Sequence, residues 1–513
     1  MTSAPAQRGH STETVGTCCI VLHTHLPWLL HHGSWPVGEE WLYQAWAHSY
    51  LPVVRLLERL AERGERQLLT VGVTPVLAAQ LDDPYSLRRF HTWVTDWQLR
   101  AGAMAAQRSD SWASEHGRAE HAAAALALGD IEGRWRHGAS PVFRRLVDDD
   151  VVELLGGPAT HPFQPVLDDR LVRLGLEVGT DDARLRLGRR HQGLWAPECA
   201  YRPGLEEHYQ EHGYTHVVVD GPTLLRAGRD TSAGVRIGDS DVVAFGRDLD
   251  VTYRVWSPRR GYPGGQWYRD FHTFDHEFGL HRSRVTSQAT DPADKQPYDA
   301  ARAHRAVDAD VDDFVSTVRQ RLLDLRPQRA RPLVVVAYDT ELFGHWWHEG
   351  PAFLERVLLR LPEAGVRVTT LSGAMADGLV DGSAQLPTGS WGSGKDWRVW
   401  QGEQVADVVA VHDDVQRRLL DLVQRQGPRT LRSEAMDQLV RQALLTLASD
   451  WPFMVTKDQA ADYARSRVLE HATSFEAMLS AIDSLDDDSA RRLATVQRQV
   501  DGPFGHLDAR RLG

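Results

Sequence analysis

Short, strongly apolar runs between long amphipathic stretches constrain the fold of this chain more than any other feature. The runs are rich in β-branched residues: CCIVL at 18–22, LLTVGV at 68–73, VVELL at 151–155, HVVVD at 216–220, LVVVAYD at 333–339 and VRVTT at 366–370. Strands without a polar face are typical of parallel sheets that are covered on both sides by helices. An α/β barrel and an open doubly wound sheet both fit, and the alternation of strand and helix over about 370 residues favours a barrel with insertions.

The length of the chain and a change of pattern near residue 380 predict two domains. At 513 residues the chain exceeds the roughly 250 to 300 residues at which single cores stop growing. We expect a catalytic barrel over 1–380, with a helical insertion at about 86–136 and a Gly-, Asp- and Ser-rich loop insertion at about 221–250. Helical stretches after the Gly/Ser-rich DGSAQLPTGSWGSG predict an all-helical C-terminal domain over 381–513.

Composition and charge argue against several classes of partner. A formal net charge of −12 lacks the basic footprint of nucleic-acid binding and favours a neutral or cationic substrate. No apolar run approaches the roughly 18 residues of a membrane span, and the N-terminus lacks the pattern of a secretory signal, so we expect a cytoplasmic protein without a membrane partner. No phosphate-binding glycine motif follows a predicted strand, and the three cysteines form no CxxC pair, so neither a nucleotide nor a structural zinc ion is expected.

Four clusters of polar and aromatic residues stand where predicted strands end. They are HTHLPW at 23–28, ATHPFQP at 159–165, WAPECAY at 195–201 and YDTELFGHWWHEG at 338–350. In α/β barrels the reactive groups lie at the C-terminal ends of the strands, where the loops begin. Because these ends meet at one face of a barrel, the clusters predict a single site.

Two of these clusters each contribute a carboxylic acid in an apolar setting. Such an acid usually caps a helix or pairs with an arginine, but Trp195 and Pro197 leave Glu198 few polar partners, and Asp339 ends a predicted buried strand. Two carboxylates from different strands are the usual apparatus for splitting a glycosidic bond. Flat sugar faces stack on aromatic rings, so we assign to a sugar cleft the tryptophans in or beside the clusters: Trp28, Trp195, Trp256, Trp346, Trp347, Trp391 and Trp400.

Metal-dependent hydrolysis is an alternative chemistry for the same clusters. His23 and His25 lie two residues apart and share one face of a strand, and His345 and His348 are either further ligands or the polar edge of an aromatic-rich turn. No ligand set is complete, and a metal would leave the setting of Glu198 unexplained, so we predict no metal. A non-catalytic glycan-binding module is a third interpretation, which the barrel size and the two strand-end carboxylates disfavour.

The same clusters resemble the signatures of glycoside hydrolase family 57, and the similarity runs along nearly the whole chain. HTHLPW and VGVTPVLAAQL (71–81) resemble the first two signatures, WAPECAY the segment with the nucleophile, and YDTELFGHWWHEG the segment with the acid/base residue. The resemblance implies a (β/α)7 barrel and a retaining double displacement on α-glucans without a metal. It implies that Glu198 is the nucleophile and Asp339 the proton donor, and that His23, His25 and His161 surround the sugar at the cleavage point.

Within that family the chain is most similar to the branching enzymes, in HGSWPVGEEWLYQAWAHSYLPV (32–53), VWSPRRGYPG (255–264), GSWGSGKDWRVW (389–400) and SDWPF (449–453). The resemblance implies an α-1,4-glucan substrate, no cofactor and a C-terminal domain that contributes to the cleft. It leaves the oligomeric state open. The substrate-binding residues that it and the clusters indicate, beyond the three histidines, are Trp28, Trp256, Arg259, Gly279, His345, Trp346, Trp391, Trp400 and Asp450.

One departure from the pattern of the branching enzymes weakens the prediction of a branching reaction. Branching members carry a tyrosine on a mobile loop after the nucleophile strand, where it keeps water from the glycosyl-enzyme. Residues 221–252 contain no tyrosine, and their single aromatic residue, Phe245, lies in the strand-like DVVAFGRD. Hydrolysis by an α-amylase, or transfer by a 4-α-glucanotransferase on the same scaffold, therefore stays an alternative to branching.

Overall fold

A curled and mostly parallel sheet forms the centre of the molecule. The computed structural model describes residues 14–107, 110–257, 261–428, 430–484 and 486–513. Within them the strands are β1 Gly16–Thr24, β2 Leu69–Val73, β3 Val152–Gly156, β4 Gly193–Trp195, β5 His216–Asp220, β6 Gly234–Ile237, β7 Val243–Arg247, β8 Leu333–Asp339, β9 Val366–Val368 and β10 Val380–Ala384. All nine residues of β1 and the first six of β8 are buried, as expected for strands covered on both faces.

The order of the strands confirms the α/β barrel. The sheet runs β10-β6-β7-β5-β4-β3-β2-β1-β8, with β9 also paired to β1, and the pairing of β6 with β7 is antiparallel while the others are parallel. Seven parallel strands therefore follow one another from β7 round to β8. The backbone N–H of Asp248, just after β7, donates to the carbonyl of Val335 in β8 at 2.7 Å, which brings the two ends of the barrel wall together.

Helices cover the sheet and continue beyond it. Within the described residues they are α1 Glu39–Ala45, α2 Leu51–Glu62, α3 Pro75–Leu81, α4 Pro84–Ala105, α5 Ser111–Glu132, α6 Ser140–Asp148, α7 Asp169–Leu187, α8 Leu205–Glu211, α9 Gly221–Arg226, α10 Leu249–Val255, α11 Ala300–Leu325, α12 Gly350–Glu363, α13 Leu371–Ala376, α14 Arg398–Gln401, α15 Ala406–Gln426, α16 Glu434–Thr446, α17 Asp450–Thr456, α18 Ala461–Asp483 and α19 Asp487–Val500. None of these helices is long and apolar enough to cross a membrane.

The segment predicted as a helical insertion consists of α4 and α5, which pack against each other. Gly117 of α5 lies so close to α4 that a Cβ atom there would be 2.4 Å from the backbone nitrogen of Ala105. Trp97 of α4 donates its indole N–H to the Glu120 carboxylate of α5 at 3.1 Å. A small residue at the crossing and a buried polar pair thus fix this helix pair.

The prediction of a loop insertion at 221–250 is wrong. The segment contains α9, β6 and β7, and β7 pairs with β5 as a strand of the barrel. The strands have only four and five residues and are flanked by Gly, Asp and Ser, so their local pattern is that of a loop. Their burial comes from neighbours distant in the chain, because Phe245 packs into the sheet with no exposed surface.

The C-terminal helices close over one end of the barrel. The predicted boundary at residue 380 falls inside β10, an edge strand with exposed side chains that pairs with β6, so the sheet extends to Ala384. Further on, the backbone N–H of Ser449 donates to the carbonyl of His161 at 3.0 Å, and Pro162 forms an isolated bridge with Ala448. These contacts bring the start of α17 to the loop that follows β3.

Candidate active site

The register of the barrel strands places two predicted site residues side by side. His23 of β1 is paired with Asp339 of β8 on one side and with Gly72 of β2 on the other. Both residues stand at the C-terminal ends of their strands, where α/β barrels carry their reactive groups. A hydrogen bond of 2.7 Å between the hydroxyls of Thr24 and Thr340 joins the two chain segments that follow.

Glu198 is held in a tight and strained turn just after β4. The turn Pro197–Cys199 has positive φ angles at Glu198 (63°) and Cys199 (47°), a conformation that side-chain-bearing residues adopt at a cost. The backbone carbonyl of Glu198 accepts from the backbone N–H of Trp391 at 2.9 Å. Strain of this kind persists where surrounding contacts fix a side chain in one position, as catalytic groups require.

Two donors from distant parts of the chain bind the Glu198 carboxylate. Ser449 Oγ donates to Oε1 at 2.7 Å, and the indole N–H of Trp391 donates to Oε2 at 2.8 Å. Glu198 is 6% exposed, and burial raises its pKa to about 7, while these two hydrogen bonds oppose the rise because they favour the charged form. The carboxylate is therefore poised to ionise close to neutral pH.

Asp339 is also shifted toward its protonated form. Burial raises the pKa of its carboxyl well above the usual range, and the neighbouring carboxylates of Glu341 and Glu198 raise it further. Burial likewise raises the pKa of Glu341 to about 7, although its Oε1 accepts a hydrogen bond of 2.5 Å from Tyr50. Hydrogen bonds favour the ionised form of Glu198, whereas neighbouring carboxylates favour the protonated form of Asp339. Such a difference is typical of a pair in which one acts as a base or nucleophile and the other as an acid.

Replacement of Ser449 by alanine should shift the acid limb of the pH–activity profile to higher pH. The hydroxyl stabilises ionised Glu198, so its loss raises the Glu198 pKa, and less of the enzyme carries the charged form at a given pH below neutrality. We expect a shift of about one pH unit in the acid limb of kcat/KM. Ser390→Ala is the matched control, since Ser390 is equally buried beside Trp391 but donates to the carbonyl of Asp396. An unshifted limb in Ser449→Ala would contradict this role.

Three histidines line the space beside the two acids. His23 Nε2 and His161 Nε2 are 3.1 Å apart, and His25 and His161 stack with ring centroids at 3.8 Å. His23 also stacks on Trp195 at 4.3 Å. Burial lowers the pKa of His23 and His161 well below the usual value, so both rings are neutral and can donate and accept hydrogen bonds, as sugar hydroxyls do.

The same cluster includes groups that could hold a metal ion. Ligand atoms of His25, His161 and Asp450 lie within 4.8 Å of one another. In the structure these atoms hydrogen-bond within the site: His25 Nε2 contacts both oxygens of Asp450 at 3.0 Å, and His161 Nδ1 contacts Ser449 at 2.9 Å. A metal would have to replace these bonds.

The remaining predicted residues fall into three groups. The ring of Trp256 contacts the ring of Trp391 in the site at 6.1 Å. Trp346 contacts Trp256 in turn, and His345 lies next to Trp346. Trp28, Trp400 and Gly279 pack elsewhere, as described below. Arg259 lies outside the described residues.

Trp28, Trp400 and Gly279 make packing contacts, and their role in substrate binding stays a prediction. Trp28 is 4% exposed and donates its indole N–H to the carbonyl of Val500 at 3.1 Å, so it serves the packing of the C-terminal helices. Trp400 is 2% exposed and stacks on Phe163 at 4.6 Å, in a cluster against which Trp391 also packs. Gly279 packs on α4, where Arg100 donates to its carbonyl at 3.1 Å. Tryptophans and glycines serve packing as well as binding, and sequence proximity to a cluster does not separate the two roles.

Several contacts in the site were not predicted. Ser449 stands beside the predicted Asp450, and Glu341 lies two residues after Asp339 in a quoted cluster, yet neither shows a local signal for its contact. Arg247 of β7 lies with its guanidinium 5.3 Å from the Trp391 ring and pairs with Asp220 at 2.8 Å. The position of Arg247 in the site could have been predicted only if β7 had been recognised from the sequence as a strand of the barrel.

At the C-terminal ends of its strands the parallel barrel holds two carboxylic acids, one buried and one half-buried, together with histidines and tryptophans. This is the construction of an enzyme that cleaves glycosidic bonds. Residues 19–382 match the family model of glycosyl hydrolase family 57, and residues 412–511 match that of the 1,4-alpha-glucan branching enzyme C-terminal domain. The chain belongs to glycosyl hydrolase family 57.

Relatives and solved structures agree with this assignment. A probable 1,4-alpha-glucan branching enzyme of Mycobacterium tuberculosis is 52% identical over 97% of this chain and 98% of its own length. A crystal structure of a branching enzyme of the family from Thermococcus kodakaraensis, in complex with glucose, superposes with a TM-score of 0.88 at 30% identity, over 97% of this chain and 96% of that one. An α-amylase from Thermotoga maritima shares the fold with a TM-score of 0.86 at 23% identity, over 97% and 99% of the two chains.

Proposed function

We propose that this protein is a 1,4-α-glucan branching enzyme, which cleaves an α-1,4 link and transfers the released chain to a 6-hydroxyl. The observation that carries the choice of reaction is the match of residues 412–511 to the C-terminal domain of branching enzymes, since an α-amylase shares the fold. Identity of 52% to a probable branching enzyme over nearly the whole chain supports the same choice.

In the first step Glu198 attacks the anomeric carbon while Asp339 donates its proton to the oxygen of the bond that breaks. The hydrogen bonds from Ser449 and Trp391 support the ionised state of Glu198, and the raised pKa of Asp339 supports its protonated state. The product is a glucan chain held as an ester on Glu198. In the second step Asp339 takes the proton of an acceptor 6-hydroxyl, whose oxygen displaces Glu198 and leaves the configuration retained.

The histidines and the tryptophans hold the sugar at this point. His23, His25 and His161 lie beside the two acids as polar groups that can exchange hydrogen bonds with sugar hydroxyls, and His25 is oriented by Asp450 at the start of α17. Trp391 presents its ring beside the Glu198 carboxylate. The C-terminal helices therefore form part of the cleft. The division into a barrel and a helical domain stays a prediction, and so does the cytoplasmic location.

Incubation with amylose should produce new α-1,6 anomeric signals in proton NMR with few new reducing ends. Transfer conserves the number of reducing ends, whereas hydrolysis adds one for each cleavage. Phe245 is buried in β7 and cannot close over the glycosyl-enzyme, so a high ratio of α-1,6 links to reducing ends would mean that other groups exclude water. Reducing ends without α-1,6 links would instead identify a hydrolase, and redistributed linear chains a 4-α-glucanotransferase.

Treatment with a metal chelator should leave this activity unchanged. The histidines and Asp450 act here as hydrogen-bonding groups, and the proposed steps need only Glu198 as nucleophile and Asp339 as acid and base. The closeness of His25, His161 and Asp450 favours metal hydrolysis as the second candidate, which predicts that chelation abolishes activity and zinc restores it. Activity before and after dialysis against EDTA, with zinc added back, separates the two.

A further inference from the structure

Aromatic rings form a continuous row from the Glu198 carboxylate to the segment between α10 and α11. Neighbouring ring centroids along the row are 5.2 to 6.3 Å apart. We name this row the aromatic track; in order it consists of Trp391, Trp256, Trp346, His345, Phe271, His281 and Phe274.

Two rings of the aromatic track, one in its middle and one at its outer end, are exposed to solvent, and the rings between them are half-buried. Trp346 is 36% exposed and Phe274 is 44% exposed, so both rings offer apolar surface on which a ligand can stack. Exposed histidines flank the outer rings: His272 lies 5.3 Å from Phe271, and His276 lies 5.0 Å from Phe274. An apolar ring with a hydrogen-bonding group at its edge matches a sugar, which has flat C–H faces and a rim of hydroxyls.

The segment that carries the outer rings is firmly attached to the α4/α5 helix pair. Arg269 forms a buried ion pair with Glu120 of α5 at 2.7 Å, and Arg100 of α4 donates to the carbonyl of Phe278 at 2.7 Å. Lys295, one of three lysines in the chain, bonds the buried Asp270 at 2.8 Å. The rings are thus held in place before a ligand arrives, which lowers the entropy cost of binding.

We propose that the aromatic track binds the part of an α-1,4-glucan chain that lies beyond the reacting link, with Phe271 and Phe274 as its outer end. This inference rests on the proposed function for one point, the identity of the ligand as an α-glucan. The occupant follows from continuity, because the track begins at the ring of Trp391, whose N–H contacts Glu198. A long chain bound at the two acids would reach the outer rings, whereas maltotriose would not.

The test compares the binding of amylose and of maltotriose in the Glu198→Gln background, where turnover is removed. We expect Phe274→Ala to raise the Kd for amylose about fivefold, since it removes one apolar contact surface, and to leave the Kd for maltotriose unchanged. Phe274→Tyr should bind amylose like the parent, because it keeps the ring. Trp267→Leu is the matched control from the same segment, because Arg284 and Arg302 already cover its ring at 4.3 and 4.7 Å.

The outcomes separate this inference from the proposed function. Equal affinity of the parent and Phe274→Ala for amylose would overturn the proposed role of the aromatic track in glucan binding and would leave the proposed branching function unaffected. A parent that binds neither glucan would overturn both. A hydrolase in place of a branching enzyme would change the products of the active protein, while the difference between amylose and maltotriose in this binding test would remain.

Discussion

Glu198→Gln should abolish the transfer of glucan chains while leaving the fold intact. The neutral amide cannot form the glycosyl ester, so we expect kcat to fall about ten-thousand-fold or more. The amide has nearly the same shape, and the Ser449 hydroxyl, which donates to the carboxylate, can accept from the amide instead. Branching activity on amylose and a thermal unfolding curve measure the two effects separately.

Glu206→Gln is the matched control. Glu206 is a buried carboxylate eight residues later that accepts hydrogen bonds from Tyr201 at 2.6 Å and from the Gly204 backbone at 2.9 Å. It lies outside the described cluster of acids and histidines, so its replacement should retain activity. Full activity in Glu198→Gln would remove Glu198 from the mechanism and with it the proposed double displacement.

Asp339→Asn should lose activity on amylose and retain reaction with a substrate whose leaving group needs no proton. General acid catalysis contributes about 10²- to 10⁴-fold, and we expect a loss of that size in kcat on amylose. With an α-maltosyl fluoride the first step requires only the nucleophile, so Asp339→Asn should still release a first equivalent of fluoride, whereas Glu198→Gln should not. Fluoride release measured with an ion-selective electrode distinguishes the two roles.

Asp310→Asn provides the comparison for Asp339. Burial also raises the pKa of Asp310, to about 6, but this residue lies on α11 and accepts a hydrogen bond from Tyr268. Its replacement should affect neither substrate. If Asp339→Asn lost fluoride release as completely as Glu198→Gln, Asp339 would act in more than proton donation, and the assignment of roles would have to change.

The barrel and the two acids could be predicted because their signals are local. Continuous apolar runs such as β1 and β8 are buried on both faces wherever they are placed, so the run itself indicates a parallel strand. Asp339 ends one such run, and Glu198 follows the short strand β4 within a cluster of rare residues. The rule that strand ends meet at one face then places both acids together without a structure.

The weak strands and the packing roles of aromatic residues could not be predicted in this way. In β6 and β7 only four and five residues pair, and their burial is supplied by β5 and β10. Trp28 lies in a predicted cluster, yet its indole packs against Val500, 472 positions away in the chain. Local periodicity contains no information about such a partner.

The sequence alone thus determined the strand-end positions of Glu198 and Asp339, because strand burial and chain direction are properties of short segments. The tertiary structure decided what surrounds these acids. Ser449 and Trp391 reach the Glu198 carboxylate from 251 and 193 positions away, and they arrive there only because the C-terminal helices close over the barrel. Desolvation and hydrogen bonds between distant segments set the ionisation of the two acids, so the chemistry of the site depends on the folded chain as a whole.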